Sequence, residues 1–107
     1  MFLGTSAFNQ PLSSWDVSKV NDFQGMFYRA SAFNQDINSW NVGSATNMHR
    51  MFHDASSFQQ NLCPWGTHLS GSGANVDRMF DGDVSCPSTS DPNLGASPVS
   101  PLCHVCP

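Results

Sequence analysis

Charge is scarce in this chain: Asp, Glu, Lys and Arg make up only 11% of its 107 residues, and only four of those residues are basic. Four cations cannot form the clustered patch that displaces counterions from a phosphate backbone, so nucleic acid is not an expected partner. The net charge of -4 is mild and dispersed, which removes any reason to invoke an anionic membrane surface. No apolar run is long enough to span a bilayer, and Met1-Phe2-Leu3-Gly4-Thr5 lacks the basic-then-apolar order of a secretory signal. With so few ionic side chains, solubility has to come from Ser, Asn, Gln, Asp and Gly, the composition of a sheet-and-turn surface. The length suffices for one domain with a small core.

What the chain does have is order at a fixed interval. The pairs Met1-Phe2, Met26-Phe27, Met51-Phe52 and Met79-Phe80 lie 25, 25 and 28 residues apart. Independent columns keep the same register: Phe8, Phe33 and Phe58; Gln10, Gln35 and Gln60; Leu12, Ile37 and Leu62; Trp15, Trp40 and Trp65. Such a period is the signature of a solenoid whose units cannot bury their apolar faces alone and do so by stacking. The extra residues of the third unit fall in Ser70-Gly71-Ser72-Gly73, a loop composition. Strict recurrence makes the Trp, Phe and Met columns a core (Trp15, Trp40, Trp65, Phe8, Phe33, Phe58, Met26, Phe27, Met51 and Phe52) rather than a ligand stripe.

Within a unit, Leu12-x-x-Trp15-x-Val17 puts Trp and Val two apart, on one side of a short strand with Asp16 on the other. Phe23, Met26, Phe27 and Ala30 follow the i, i+3, i+4, i+7 spacing of one helical face, and Met48, Met51, Phe52 and Ala55 repeat it. Asn21 and Thr46 stand where they would cap those helices. The expected architecture is an α/β repeat solenoid with short parallel strands and short helices. Its coils start near residues 1, 26 and 51, with a partial coil from 79, and occupy residues 1–84. Asn9 and Asn34, each following the Phe column, are placed for a stacked amide ladder at a bend.

The combined pattern Met-Phe-x-x-Ala-Ser-x-Phe-Asn-Gln-x-Ile/Leu-x-x-Trp-x-Val, here Met26 to Val42, resembles the BspA-like leucine-rich-repeat family in the variant found in mycoplasma-type surface lipoproteins. The likeness implies a secreted or surface-displayed right-handed solenoid with an adhesion or binding role. The third coil departs from it, with Gln59 in place of Asn and Gly66-Thr67 after Trp65.

After Met79-Phe80 the columns stop. Cys86 stands seven past Met79, as Phe33 stands seven past Met26, and Pro87, Pro92, Pro98 and Pro101 then interrupt regular structure. Residues 85–107 are expected to form a Cys/Pro/Ser-rich cap tethered over the last coil. Four cysteines in a short chain point to disulfides and an oxidising compartment. The favoured pairing is Cys63–Cys86 with Cys103–Cys106, against a four-thiolate zinc site or a redox role for the Cys-x-x-Cys. Because residue 1 already occupies the Met column, further coils and a signal sequence are expected upstream, with the protein outside the cell or on its surface.

His49 and His53 are four apart but lack the intervening Glu of a metalloprotease, and they are expected to face solvent. Asp81-Gly82-Asp83 lacks the remaining ligands of a calcium loop and is expected to be a turn. No catalytic set emerges; no enzyme activity, metal or cofactor is expected. On the outer face, Ser14, Asp16, Ser39 and Asn41 are small, polar and nearly uncharged, and are the weak contact candidates for a protein or glycan on another cell or matrix. The alternatives are a structural spacer and a cysteine-based zinc or redox protein.

Overall fold

The computed structural model describes residues 7–107; the Met1-Phe2 column lies outside them. The expected α/β repeat solenoid, with its leucine-rich-repeat strands and helices, is not what the chain forms. Among the described residues the only helical elements are a 3-10 turn at Cys63–Trp65 and a four-residue helix, α1, at Gly66–Leu69. No strand is present there, only isolated bridges such as Asp22 with Asn47 and Asn47 with Asn75. The result is a small compact body of about 35 × 28 × 20 Å built almost wholly from turns.

The reason lies in where the backbone N–H groups go. Over 23–30 the chain makes consecutive tight turns, Met26 N–H to Phe23 C=O, Tyr28 to Gly25 and Ala30 to Phe27, rather than helical bonds four residues back. Gly25 and Arg29 sit at φ 60° and 57°, a left-handed conformation that no α-helix contains. The alternate N–H groups point to the next repeat: Phe23 to Asn47 C=O at 2.7 Å, Gly25 to His49 at 3.1 Å, Phe27 to Met51 at 2.9 Å and Arg29 to His53 at 2.8 Å. The same four rungs recur from Met48, Arg50, Phe52 and Asp54 to Asn75, Asp77, Met79 and Asp81. A helix would spend all these donors on itself and leave nothing to join neighbouring repeats. These four-residue turns bury Phe23, Met26, Phe27 and Ala30 together, so the apolar spacing fits either conformation.

The strand expected at Leu12 to Val17 is likewise a turn. Trp15, Trp40 and Trp65 each donate their backbone N–H to the residue three before, Leu12, Ile37 and Leu62. The expected caps do another job: the Thr46 backbone N–H and hydroxyl both donate to the carbonyl of Asn21, one repeat earlier.

The columns themselves do line the core. Phe27, Phe52 and Phe80 stack at 5.4 Å between successive rings, and Phe33 lies on Phe58 at 5.9 Å. Phe27–Phe33 at 4.1 Å and Phe52–Phe58 at 4.2 Å tie the two stacks together. The indoles of Trp40 and Trp65 are parallel within 4°, and each donates its Nε1–H to a carbonyl of the preceding repeat, Leu12 and Ile37, at 3.0 and 2.9 Å. Each fully buried ring contributes about 1.5–3 kcal/mol, with roughly 0.5–1.5 kcal/mol more per stacked pair. Two members of the expected core differ: Phe8 is half-buried and Trp15 is 45% exposed. Both stand at the end of the stack, with a described repeat on one side only.

The amide ladder forms as well, on the surface rather than at a buried bend. Asn9 Oδ1 accepts from the Asn34 N–H and the Gln35 amide, and Asn34 Oδ1 accepts from the Gln59 N–H and the Gln60 amide, at 2.9–3.1 Å.

Residues 85–107 fold back on the third repeat. Leu62 N–H donates to Leu102 C=O, His104 Nε2 lies 2.8 Å from the Gln59 carbonyl oxygen, and Val99, Leu102 and Cys103 are buried. This docking sets the disulfides, which are Cys63–Cys106 and Cys86–Cys103, not the expected Cys63–Cys86 and Cys103–Cys106. Cys86 does occupy the position one repeat beyond Phe58, its sulfur 3.7 Å from the Phe58 carbonyl oxygen. With Leu102 held beneath Leu62, however, Cys103 is brought to Cys86 and Cys106 to Cys63.

Candidate functional site

Ser14, Asp16, Ser39 and Asn41 are all exposed, at matching positions of the first two repeats. The two polar chains with the greatest reach are occupied by their own turns. Asp16 Oδ1 accepts from the Ser18 hydroxyl at 2.6 Å and the Ser18 N–H at 3.0 Å, and these bonds, the hydroxyl first, hold its carboxyl below the usual range. Asn41 Oδ1 accepts from the Gly43 N–H at 2.9 Å. Such side-chain-to-backbone turns explain Asp and Asn here without a ligand.

A more structured surface lies on the turn ladder, where a groove of about 370 Å³ opens between the first and second repeats. Asp22, Gln24, Gly25, Tyr28, His49 and Arg50 line it. It exists because of one column: Gly25, Arg50 and Arg78 stand at equivalent rungs, all left-handed at φ 60°, 55° and 54°. The first repeat has no side chain where the next two have arginine. The sequence carries that column at its fixed period, whereas the outer-face candidates lie on the Trp turn.

The groove walls are held in place from behind. Asp22 Oδ1 accepts from the Gln24 N–H, and the Asn47 amide donates to Gln24 Oε1 at 2.9 Å, which leaves the Gln24 NH2 group as its remaining donor. The Tyr28 ring stacks on His53 at 5.0 Å. Arg50 Nε is buried with no hydrogen-bond partner, an arrangement that costs about 1–3 kcal/mol. His49 Nδ1 is similarly buried, 3.5 Å from an Asp77 carboxylate oxygen.

The histidines expected to face solvent are partly covered. His53 is 17% exposed and lies between the carboxylates of Asp54 and Asp81, at 3.4 and 3.7 Å. Asp81-Gly82-Asp83 is a turn: Asp54 Oδ1 accepts from the Asp83 N–H at 2.8 Å, and any side chain at Gly82 would strike that carboxylate. All four cysteines are in disulfides, and among the described residues no three or more His, Cys, Asp or Glu side chains group as metal ligands would. Two disulfides suit an extracellular or otherwise oxidising environment, and no described helix is long and apolar enough to cross a membrane.

Residues 1–90 match the sequence profile of a family described as "Mycoplasma protein of unknown function, DUF285". No curated protein and no solved structure is significantly similar to the chain.

Proposed function

Because the chain belongs to that DUF285 family, we propose that it is a non-enzymatic, surface-displayed or secreted module that binds a protein or glycan on another cell or in a matrix. The observation that carries the reading is the turn ladder. Successive repeats set equivalent side chains side by side on a backbone fixed by four inter-repeat bonds, which presents an ordered polar surface at little conformational cost on binding. The two disulfides add to it, since they fit life outside the reducing cytosol. Beads coated with the oxidised chain should be retained on cultured cells or extracellular matrix more strongly than beads coated with the reduced and alkylated chain. Equal retention would eliminate the reading.

A second reading, a spacer that only sets distance, is favoured by Asp16 and Asn41, whose side chains close their own turns instead of reaching outward. On that reading neither bead preparation adheres.

A further inference from the structure

We infer that the groove at Gly25 is a saccharide subsite, a deepening of the binding-module reading on which it rests. Its size falls in the range of small-ligand sites, and it arises from a missing side chain in an otherwise regular column, not from loose packing. The chemistry lining it is mixed. Arg50 and the Gln24 NH2 group donate, the Asp22 oxygen not used by Gln24 accepts, and the Tyr28 hydroxyl does both. Hydroxyl groups that each donate and accept suit such a set, whereas an anion offers acceptors only and would meet the Asp22 carboxylate. Tyr28, its ring held by His53 and by the Arg29 guanidinium 5.1 Å from its centroid, supplies a rigid wall whose edge and hydroxyl meet the guest.

The test is an amide-shift titration of the oxidised full chain by NMR, with lactose and chitotriose as neutral probes and inorganic phosphate as the anionic one. One of the two saccharides should shift Gln24, Gly25, Tyr28 and Arg50 saturably, with a Kd of about 1 mM or tighter. Gly25→Arg should weaken that binding at least roughly tenfold by filling the groove. The backbone at this position suits arginine, since Arg50 and Arg78 hold the same left-handed rung; Arg50→Gly, which removes the donor at a conformation glycine adopts freely, gives an independent reading and should also weaken binding. The inference is overturned if neither saccharide saturates by about 10 mM, if Gly25→Arg binds as the parent does, or if phosphate alone moves these amides. Beads that adhere to cells while sugars leave the groove unmoved overturn the subsite but not the adhesion reading. Sugars that bind while beads fail to adhere support the subsite and remove the adhesion reading.

Discussion

The repeats and the tail are held by opposite means. From 7 to 84 the chain relies on many equivalent weak contacts: four ladder bonds per junction, ring on ring and amide on amide, each with a copy one repeat away. From 85 to 107 there is no repetition, and two covalent links with a few backbone bonds do the work. A repeated contact is redundant along the stack but cooperative within it, because each ring is covered by its neighbours. A covalent link acts alone and mainly by restricting the unfolded chain.

The largest expected effect is on the ring at the centre of the stack. Phe52 is fully buried and touches Phe27, Phe58, Trp65 and Phe80. Phe52→Ala should lower unfolding free energy by about 3–5 kcal/mol in urea titration. A loss below about 1 kcal/mol would mean that the columns are not the main source of stability.

Next come the disulfides, whose loops span 43 and 17 residues. Replacing both cysteines of a pair by alanine should cost about 4 kcal/mol for Cys63–Cys106 and about 3 kcal/mol for Cys86–Cys103. The contrast between regions predicts more: hydrogen exchange should quicken first at Ser88, Asn93 and Leu102, while Phe27 and Phe52 keep their protection. Simultaneous loss at all five would show that the tail and the ladder are one cooperative unit.

The smallest effect belongs to one rung. Asn34→Ala removes the acceptor for the Gln59 N–H and leaves the Gln60 amide only the Asn34 carbonyl; it should cost about 1 kcal/mol, with faster exchange confined to Gln59. Faster exchange at the distant Phe23 or Arg29 amides would contradict the picture of separable rungs.

The unevenness of this molecule explains what its sequence disclosed. Period and columns were legible because stacking demands the same residue at each level, so Phe33 above Phe58, Trp40 above Trp65 and the Asn9–Asn34 ladder follow from spacing alone. The local backbone was not, because turns at Phe23–Ala30 reproduce the apolar spacing of a helix, and only the left-handed residues Gly25 and Arg29 distinguish the two. Arg29 gives little warning of that conformation, since a long side chain there is uncommon. The disulfide partners were hidden for a different reason: Cys103 and Cys106 meet Cys86 and Cys63 through the path of a tail that has no counterpart elsewhere in the chain. Likewise the groove depends on a glycine whose meaning appears only beside Arg50 and Arg78.

The loop between α1 and Met79-Phe80 absorbs a change in repeat length. The third repeat is three residues longer than the others, yet its surplus is taken up around Ser70–Gly73, where Gly71 and Gly73 adopt φ 67° and 73°, and the rungs from Met48 to Asp54 arrive in step on the far side. A Cβ added at either glycine would meet no neighbouring atom within 4 Å, so only the left-handed backbone, not crowding, calls for glycine there. The segment behaves as an expansion joint: length can be gained or lost there without displacing a ring, so foreign peptides are best grafted at this point.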